Sequence, residues 1–367
     1  MTALHDLPAQ DLLAAYRQRT LSPVEVTQAV LAHMERWEPH IRATYLLRPE
    51  HALAQARQSE ARWQRGEPQG LLDGVPVTIK ENIATQGDPT PLGTAAVPLV
   101  PAAADAPPAA RLREAGAVMV AKTTMPDYGM LSSGLSSFHP LSRNPWDVSK
   151  GPGGSSAGGG AAAAAGYGPL HIGTDIGGSL RLPASWCGIF SLKPSLGRIP
   201  IDPPYTGRAA GPMTRTVQDA ALMMQVLSQP DVRDSMSLPY QPIAWGEYDQ
   251  GVQRLRGLRL GLLLDAGCGL PVEAEVRADI PAALRGGEID ALPRRPHLPR
   301  VRGAILEPVR ALPREAPMAL DRALAQRYLG AGRGAGDLPL HRHLRRSAHR
   351  QRRAPCASRA ACRCRAR

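Results

Sequence analysis

Two adjacent serines, Ser155 and Ser156, lie in the glycine-rich stretch GPGGSSAGGGAAAAAG, which spans residues 151–166. Glycine permits unusual backbone angles and alanine is the best helix former, so this stretch predicts a loop that leads into a helix. The first backbone N–H groups of such a helix have no intrahelical partner and point outward. The serines therefore occupy a position suited to an anion, a phosphate or a reacting oxygen.

Two common glycine-loop sites fit this stretch poorly. A phosphate-binding P-loop requires Gly-Lys followed by Ser or Thr, which GPGGSSAG lacks. Residues 154–158 match the G-x-S-x-G nucleophile elbow of α/β-hydrolases, but that elbow directly follows a strand. The preceding WDVSKGP is polar and is interrupted by Pro152. The context therefore disfavours both a nucleotide site and a hydrolase elbow.

A serine and a lysine elsewhere in the chain complete the parts of a serine nucleophile served by a lysine base. The turn GTDIGGSLRLPAS places Ser179 24 residues after Ser155, and Lys80 lies 75 residues before Ser155, at the end of the apolar run GVPVTIK. A serine hydroxyl is a weak nucleophile and needs a proton acceptor, which a neutral lysine can be. Burial at a strand end would disfavour the ammonium form of Lys80 and lower its pKa.

Short apolar runs alternate with helical patterns through most of the chain. Residues 1–65 predict a helical segment, with Ser22, Pro23 and Glu25 as a helix start. Further helices are predicted at 106–116, 156–168 and 211–231, and strands at 74–80, 117–122, 169–175 and 258–264. This alternation predicts an α/β sheet covered by helices on both faces.

The formal net charge of +12 is concentrated in residues 291–367, which contain 19 arginines, no lysine and four acidic residues. Residues 1–290 consequently carry a net charge of only −3. The basic segment contains no Phe or Trp and shows no helix or strand period. We interpret this Arg/Ala/Pro-rich tail as aberrant or disordered, the product of a GC-rich gene read partly out of frame. A basic arm that binds nucleic acid is the alternative.

Five blocks resemble the signature blocks of the amidase signature family and occur in the family's order: GVPVTIKENI, GAVMVAKTTMPDYGM, NPWDVSKGPGGSSAGG, GTDIGGSLRLPASWCGIFSLKPSLGRIP and GPMTRTVQDAALMM. The resemblance implies an α/β fold with a mixed, twisted sheet covered by helices on both faces. We accordingly divide the chain into an N-terminal helical segment (1–65), an incomplete amidase signature core (66–290) and the tail (291–367). The C-terminal part of the fold is then truncated or scrambled.

The resemblance also implies a Ser-Ser-Lys triad. By matching position, Ser179 is the nucleophile, Ser155 is the bridging serine, held by a cis peptide bond in this family, and Lys80 is the base. The turn before the nucleophile should supply an oxyanion hole from the backbone N–H groups of Ile176, Gly177, Gly178 and Ser179.

Other residues near these blocks have supporting or bordering positions. Ser156 is expected to hydrogen-bond locally, and Asp175 and Arg181 are expected to brace the nucleophile turn. Met130 and Ser132 lie in a loop that could border the substrate, although serines in a loop are also ordinary turn formers.

The expected activity is hydrolysis of a carboxamide to a carboxylate and ammonia or an amine through a Ser179 acyl-enzyme, without a metal or other cofactor. One alternative is the glutaminase (A) subunit of a tRNA-dependent amidotransferase. Another is an inactive truncation product whose tail binds polyanions nonspecifically. The expected partner is a small-molecule amide, with no specific nucleic acid and no membrane; homodimers are common in the family.

Targeting signals and cysteines add little to this interpretation. The start of the chain has no basic region followed by an apolar stretch, and no window of about 18 apolar residues occurs, so a cytoplasmic protein is expected. Three of the five cysteines lie in the tail, and the spacing of all five predicts neither a disulfide framework nor a zinc site.

Overall fold

The computed structural model describes residues 3–247 and the short segments 260–262, 273–275, 277–278 and 289–291. The helices are α1 (Ala9–Gln18), α2 (Pro23–Ile41), α3 (Pro49–Arg65), α4 (Pro107–Glu114), α5 (Ala157–Ala165), α6 (Arg181–Cys187) and α7 (Val217–Leu227). The strands are β1 (Thr44–Leu47), β2 (Pro76–Lys80), β3 (Val118–Thr123), β4 (Leu170–Asp175), β5 (Phe190–Ser191), β6 (Ala209–Thr214), β7 (Leu260–Leu262) and β8 (Ile289–Ala291).

Six strands form one mixed sheet in the order β1-β3-β2-β4-β6-β5. Strands β3, β2 and β4 run parallel to one another, whereas β1 is antiparallel to β3, β6 to β4, and β5 to β6. Every residue of β2, β4 and β6 is buried, which requires cover on both faces of the sheet. The predicted α/β class with a mixed sheet is therefore confirmed. Strands β7 and β8 pair in a separate parallel sheet of two strands.

The parallel pairing of β2 and β4 brings the predicted chemical groups to one edge of the sheet. Residues 77–79 pair with residues 170–172, so the two strands end side by side, one in Lys80 and the other in Asp175. The turn that carries Ser179 follows β4 directly. In parallel strands the carboxyl ends collect the functional loops, and here that edge receives both the lysine and the predicted nucleophile.

The glycines at the start of α5 allow this helix to pack closely on the sheet. A Cβ atom on Gly158 would lie 2.1 Å from the carbonyl oxygen of Ala43 and 2.5 Å from the backbone nitrogen of Thr124. The Gly158 N–H donates to the Thr124 carbonyl at 3.1 Å. Helix α5 packs against β2, β3, β4 and β6, and this close contact fixes the position of Ser155 and Ser156 just before the helix.

The N-terminal segment confirms one prediction and corrects another. Ser22 begins α2 as predicted, because its Oγ accepts from the Val24 N–H at 2.9 Å and its own N–H donates to Glu25 Oε2 at 2.8 Å. The expectation of a wholly helical segment over residues 1–65 is wrong at Thr44–Leu47, which forms β1. This strand is only four residues long, and its partner β3 lies far along the chain, so no local pattern distinguishes it.

The predicted helix over residues 211–231 is also corrected. Residues 211–214 belong to β6, and α7 begins only at Val217, after Thr216 accepts the N–H of Asp219 on its Oγ1 at 3.1 Å. A Cβ atom on Gly211 would lie 2.0 Å from the carbonyl oxygen of Leu192. The glycine therefore marks a close approach between β6 and the residue that follows β5, not the start of a helix.

Some predictions lie outside the described residues. Of the predicted strand 258–264, residues 260–262 are described and form β7. The tail predicted at 291–367 lies outside the described residues except for Ala291, the last residue of β8. Within the part of the chain that the structure describes, no helix is long and apolar enough to cross a membrane.

Candidate active site

Lys80 ends β2 with a fully buried side chain. Its Nζ donates hydrogen bonds to Ser155 Oγ at 2.9 Å, to Ser156 Oγ at 3.0 Å and to Thr174 Oγ1 at 3.1 Å. All three acceptors are neutral hydroxyl groups. The structure thus brings the predicted base into direct contact with the predicted bridging serine and its neighbour.

Burial lowers the pKa of Lys80 from an ordinary value of 10.5 to about 7, because the ammonium form loses its water. The negative charges of Glu81 and Asp175 act in the opposite direction, and the positive charge of Arg208 adds to the lowering. A lysine whose pKa lies near neutrality can accept a proton under ordinary conditions.

Ser155 lies next to the backbone of Gly129 and is only 4% exposed. A Cβ atom on Gly129 would lie 3.2 Å from Ser155 Oγ, and one on Gly154 would lie 2.5 Å from the backbone nitrogen of Ser133. These glycines therefore allow the 129–133 segment to lie directly against the serine loop. The Gly154–Ser155 peptide bond is cis, as the resemblance implies.

The turn between β4 and α6 holds Ser179, which is half-buried. The backbone N–H of Ser156 donates to the carbonyl oxygen of Ser179 at 3.1 Å, which ties this turn to the start of α5. The side chain of Ser156 also donates to the carbonyl oxygen of Thr174 at 3.1 Å. Ser156 therefore links the serine loop, β4 and the turn, in keeping with the supporting role predicted for it.

Asp175 and Arg181 brace the same turn. Asp175 Oδ1 accepts the Gly178 N–H and Oδ2 accepts the Leu180 N–H, each at 2.9 Å. Arg181 donates from Nε at 3.0 Å and from Nη2 at 2.8 Å to the same carboxylate. Burial opposes ionisation of Asp175, but the hydrogen bonds from Arg181, Leu180 and Gly178 outweigh it and lower the pKa to about 2.

The predicted oxyanion hole needs one correction. Because the N–H of Gly178 donates to Asp175 Oδ1, it does not serve a developing oxyanion. Gly178 has a φ angle of +117°, a value that glycine readily adopts, and its N–H points toward the Asp175 carboxylate. The backbone amides of Ile176, Gly177 and Ser179 remain the candidate donors, in a stretch where Ile176 is 56% exposed.

Thr174, which is not among the predicted site residues, contacts the base directly. Its Oγ1 accepts hydrogen bonds from Lys80 Nζ at 3.1 Å and from Asn82 Nδ2 at 3.0 Å. A signal was available, because Thr174 immediately precedes Asp175 in the GTDIGGS block and a parallel partner of β2 must end near Lys80.

The loop predicted to border the substrate lies beside the serines. Met130 is 80% exposed, and Ser132 is also exposed. The backbone of the neighbouring Leu131 and Ser133 packs against Gly154, next to Ser155. A role of Met130 and Ser132 in substrate contact stays a prediction.

A cavity of about 300 Å³ lies elsewhere and is lined in part by Arg48, Asp88, Arg113 and Lys122. Lys122 pairs with Ile79 in the β2–β3 ladder, so its side chain lies on the sheet face opposite to Lys80. None of the three predicted catalytic residues lines this cavity. Over the described residues no cluster of side chains suited to a metal ion occurs.

Comparison with known proteins identifies the family. The family profile described as Amidase matches residues 25–285, and the chain belongs to this family.

Two curated relatives are glutamyl-tRNA(Gln) amidotransferase subunits A. The subunit from Chloroflexus aurantiacus is 39% identical over 267 residues, 71% of this chain and 54% of that protein. The subunit from Picosynechococcus sp. is 35% identical over 349 residues, 92% of this chain and 69% of that protein. The chain thus spans about half the length of the Chloroflexus relative.

Two solved structures show the same fold. A bacterial aryl acylamidase of the amidase signature family superposes with a TM-score of 0.71 at 30% identity, covering 79% of this chain and 62% of that one. A peptide amidase from Stenotrophomonas maltophilia gives a TM-score of 0.70 at 29% identity, with coverage of 78% and 62%. The family resemblance seen in the sequence blocks is confirmed.

We expect Asp175→Asn to loosen the nucleophile turn. An amide group cannot accept from backbone N–H groups on both sides, so the variant should lose about 1.5–3 kcal/mol of unfolding free energy, the range for hydrogen bonds to a charged group. Denaturant unfolding measures this loss. The matched control is Arg181→Gln, which removes only a partner whose side chain is 55% exposed and should cost less than about 1 kcal/mol. Equal losses in the two variants would contradict a bracing role for the carboxylate.

Proposed function

We propose that the chain hydrolyses a carboxamide C–N bond through a Ser179 acyl-enzyme, with Ser155 and Lys80 as the proton relay. The observation that carries this proposal is the fully buried Lys80, whose Nζ lies 2.9 Å from Ser155 Oγ and 3.0 Å from Ser156 Oγ. A buried lysine beside hydroxyl groups, with its pKa lowered to about 7, suits proton transfer better than an ion pair would. Membership of the amidase family agrees with this chemistry.

The first half of the reaction forms an ester and releases the amine. Ser179 Oγ attacks the amide carbon while its proton passes through the Ser155 hydroxyl to the neutral Lys80 Nζ. The carbonyl oxygen becomes an oxyanion, for which the amides of Ile176, Gly177 and Ser179 are the candidate donors. The Lys80 ammonium then returns the proton through Ser155 to the departing nitrogen. The C–N bond breaks, and ammonia or an amine leaves.

The second half of the reaction repeats the same proton path with water. Water attacks the acyl carbon and gives its proton through Ser155 to Lys80, which is neutral again after the first half. The Ser179 oxygen is the leaving group, and it recovers a proton by the same path in reverse. The products are an unchanged enzyme and a carboxylic acid, which releases its remaining proton to solvent and becomes a carboxylate.

A fluorophosphonate probe tests the proposal without any assumption about the substrate. We expect intact mass to show one adduct per chain and peptide mapping to locate it on Ser179. Chain unfolded in denaturant before labelling is the control, because an assembled relay is needed to activate the serine. An adduct elsewhere, or none on a chain that melts cooperatively, would count against the nucleophile assignment.

The names of the curated relatives favour a second candidate, the glutaminase subunit of a tRNA-dependent amidotransferase. Both candidates use the same site, and they differ in the amide that is cleaved and in the fate of the ammonia. Ammonia release from glutamine that rises when the remaining amidotransferase subunits and glutamyl-tRNA are added would favour this candidate. Hydrolysis of simple amides that is indifferent to these additions would favour a free-standing amidase.

A further inference from the structure

Glu81 directly follows Lys80 and is fully buried, although the proposed reaction does not use it. Its Oε2 lies 2.7 Å from Nε2 of His139, a residue that is itself only 7% exposed. Among the described residues, Glu81 Oε1 has no hydrogen-bond partner. A buried carboxylate is unfavourable unless it is paired, so His139 carries most of the compensation for this charge.

The surroundings of this pair contain other groups that respond to its charge. Glu81 acts electrostatically on Lys80, on Lys122 and on Tyr45, and in each case it raises the pKa. The ring of Tyr45 lies 5.1 Å from the ring of His139, with the ring of Phe138 5.0 Å from His139. The remaining charges that act on Lys80 are those of Asp175 and Arg208.

The same pair connects two parts of the candidate active site. His139 belongs to the loop that follows the Asp127–Gly129 turn, and its backbone N–H donates to Ser136 Oγ at 2.9 Å. Earlier in this loop, the backbone of Leu131 and Ser133 packs against Gly154. The contact between Glu81 and His139 therefore joins the strand end that carries Lys80 to the loop that lies against Gly154 and the following serine.

We propose that His139 is a positioning residue that acts through Glu81: the hydrogen bond between His139 Nε2 and Glu81 Oε2 compensates this carboxylate, so that it does not hold Lys80 in the ammonium form. This proposal rests on the function of Lys80 as the base in the proposed reaction. An uncompensated carboxylate beside a lysine favours the charged lysine, which cannot accept a proton from Ser155. His139 thereby helps to keep Lys80 ready for catalysis while it anchors the loop.

The test measures the rate of fluorophosphonate labelling of Ser179 against pH in the wild-type chain, in Glu81→Gln and in His139→Leu. The rate should rise with pH as Lys80 loses its proton. Glu81→Gln removes the negative charge and should move the midpoint to lower pH, whereas His139→Leu leaves that carboxylate without its hydrogen-bond partner and should move it to higher pH. Each shift should be roughly one pH unit, as for a nearby charge. Asp88→Asn, which removes another buried carboxylate, is the matched control and should leave the midpoint unchanged.

A purely structural role would lower the rate at every pH without moving the midpoint, and that result would overturn the proposal. Shifts of the two variants in the same direction would overturn it as well. Melting curves identify any variant that does not fold; the midpoint is then read from the other variant and from His139→Gln, whose side-chain amide can donate to Glu81 and should return the midpoint toward the wild-type value. A wild-type chain that takes up no probe would instead contradict the proposed function.

Discussion

Ser179→Ala should reduce amide hydrolysis by roughly 10³–10⁶-fold, the range seen when the nucleophile of a serine hydrolase is removed. Neither Ser155 nor Ser156 can replace it without giving up the hydrogen bond that its Oγ accepts from Lys80. The variant should also take up no fluorophosphonate. Ammonia or amine release and intact mass measure the two effects.

The structure predicts that this loss is chemical and not a loss of folding. The turn is held by backbone contacts and by Asp175, and the link from the Ser156 N–H to the Ser179 carbonyl does not involve the Ser179 side chain. The unfolding free energy of Ser179→Ala should therefore stay within about 0.5 kcal/mol of the wild type. Ser185→Ala, an exposed position on α6, is the matched control and should retain activity. A labelled, active Ser179→Ala chain would move the nucleophile to another serine.

The parts of the site that the sequence predicts are those encoded by local blocks. GVPVTIK contains β2 and ends in the lysine, and the glycine and alanine runs of residues 151–166 contain the serine loop and α5. In both blocks the residue types that form the element also place the chemical group, at a strand end or a helix start. The resemblance then assigns roles that spacing alone leaves open.

The parts that the sequence does not predict depend on partners far along the chain. The hydrogen bond from Gly178 to Asp175 removes one expected oxyanion donor, and only the orientation of that peptide shows it. Glu81 and His139 are 58 residues apart, and no local pattern pairs them. Strand β1 likewise exists because β3 offers a free edge to TYLL, and its own residues do not distinguish it from a linker between helices.

Lys80→Met should lower hydrolysis by roughly 10²–10⁴-fold, the usual contribution of a general base. In the wild type, activity should rise with pH through about 7, because only the neutral lysine accepts the serine proton. Residual activity in Lys80→Met should no longer follow this titration. The pH dependence of ammonia or amine release measures both effects.

Lys80→Met should also change how the unfolding free energy depends on pH. The pKa of Lys80 is about 7 in the folded chain against an ordinary value of 10.5, so between these pH values the unfolded chain binds more protons. Unfolding free energy therefore rises with pH across this window, and Lys80→Met should flatten that rise. A buried methionine carries no charge to desolvate, although it leaves the three hydroxyl groups around it without their donor.

Lys122→Met separates the chemical effect from the effect of burial. Lys122 is also buried, and burial lowers its pKa to about 8, but it lies on the opposite face of the sheet and donates to the Ile83 carbonyl and to Thr85 Oγ1. Both variants should flatten the rise of unfolding free energy with pH. At temperatures where both variants are folded, only Lys80→Met should lose hydrolysis. If both lose hydrolysis to the same extent, the loss reflects the removal of a buried lysine and the relay through Lys80 is wrong.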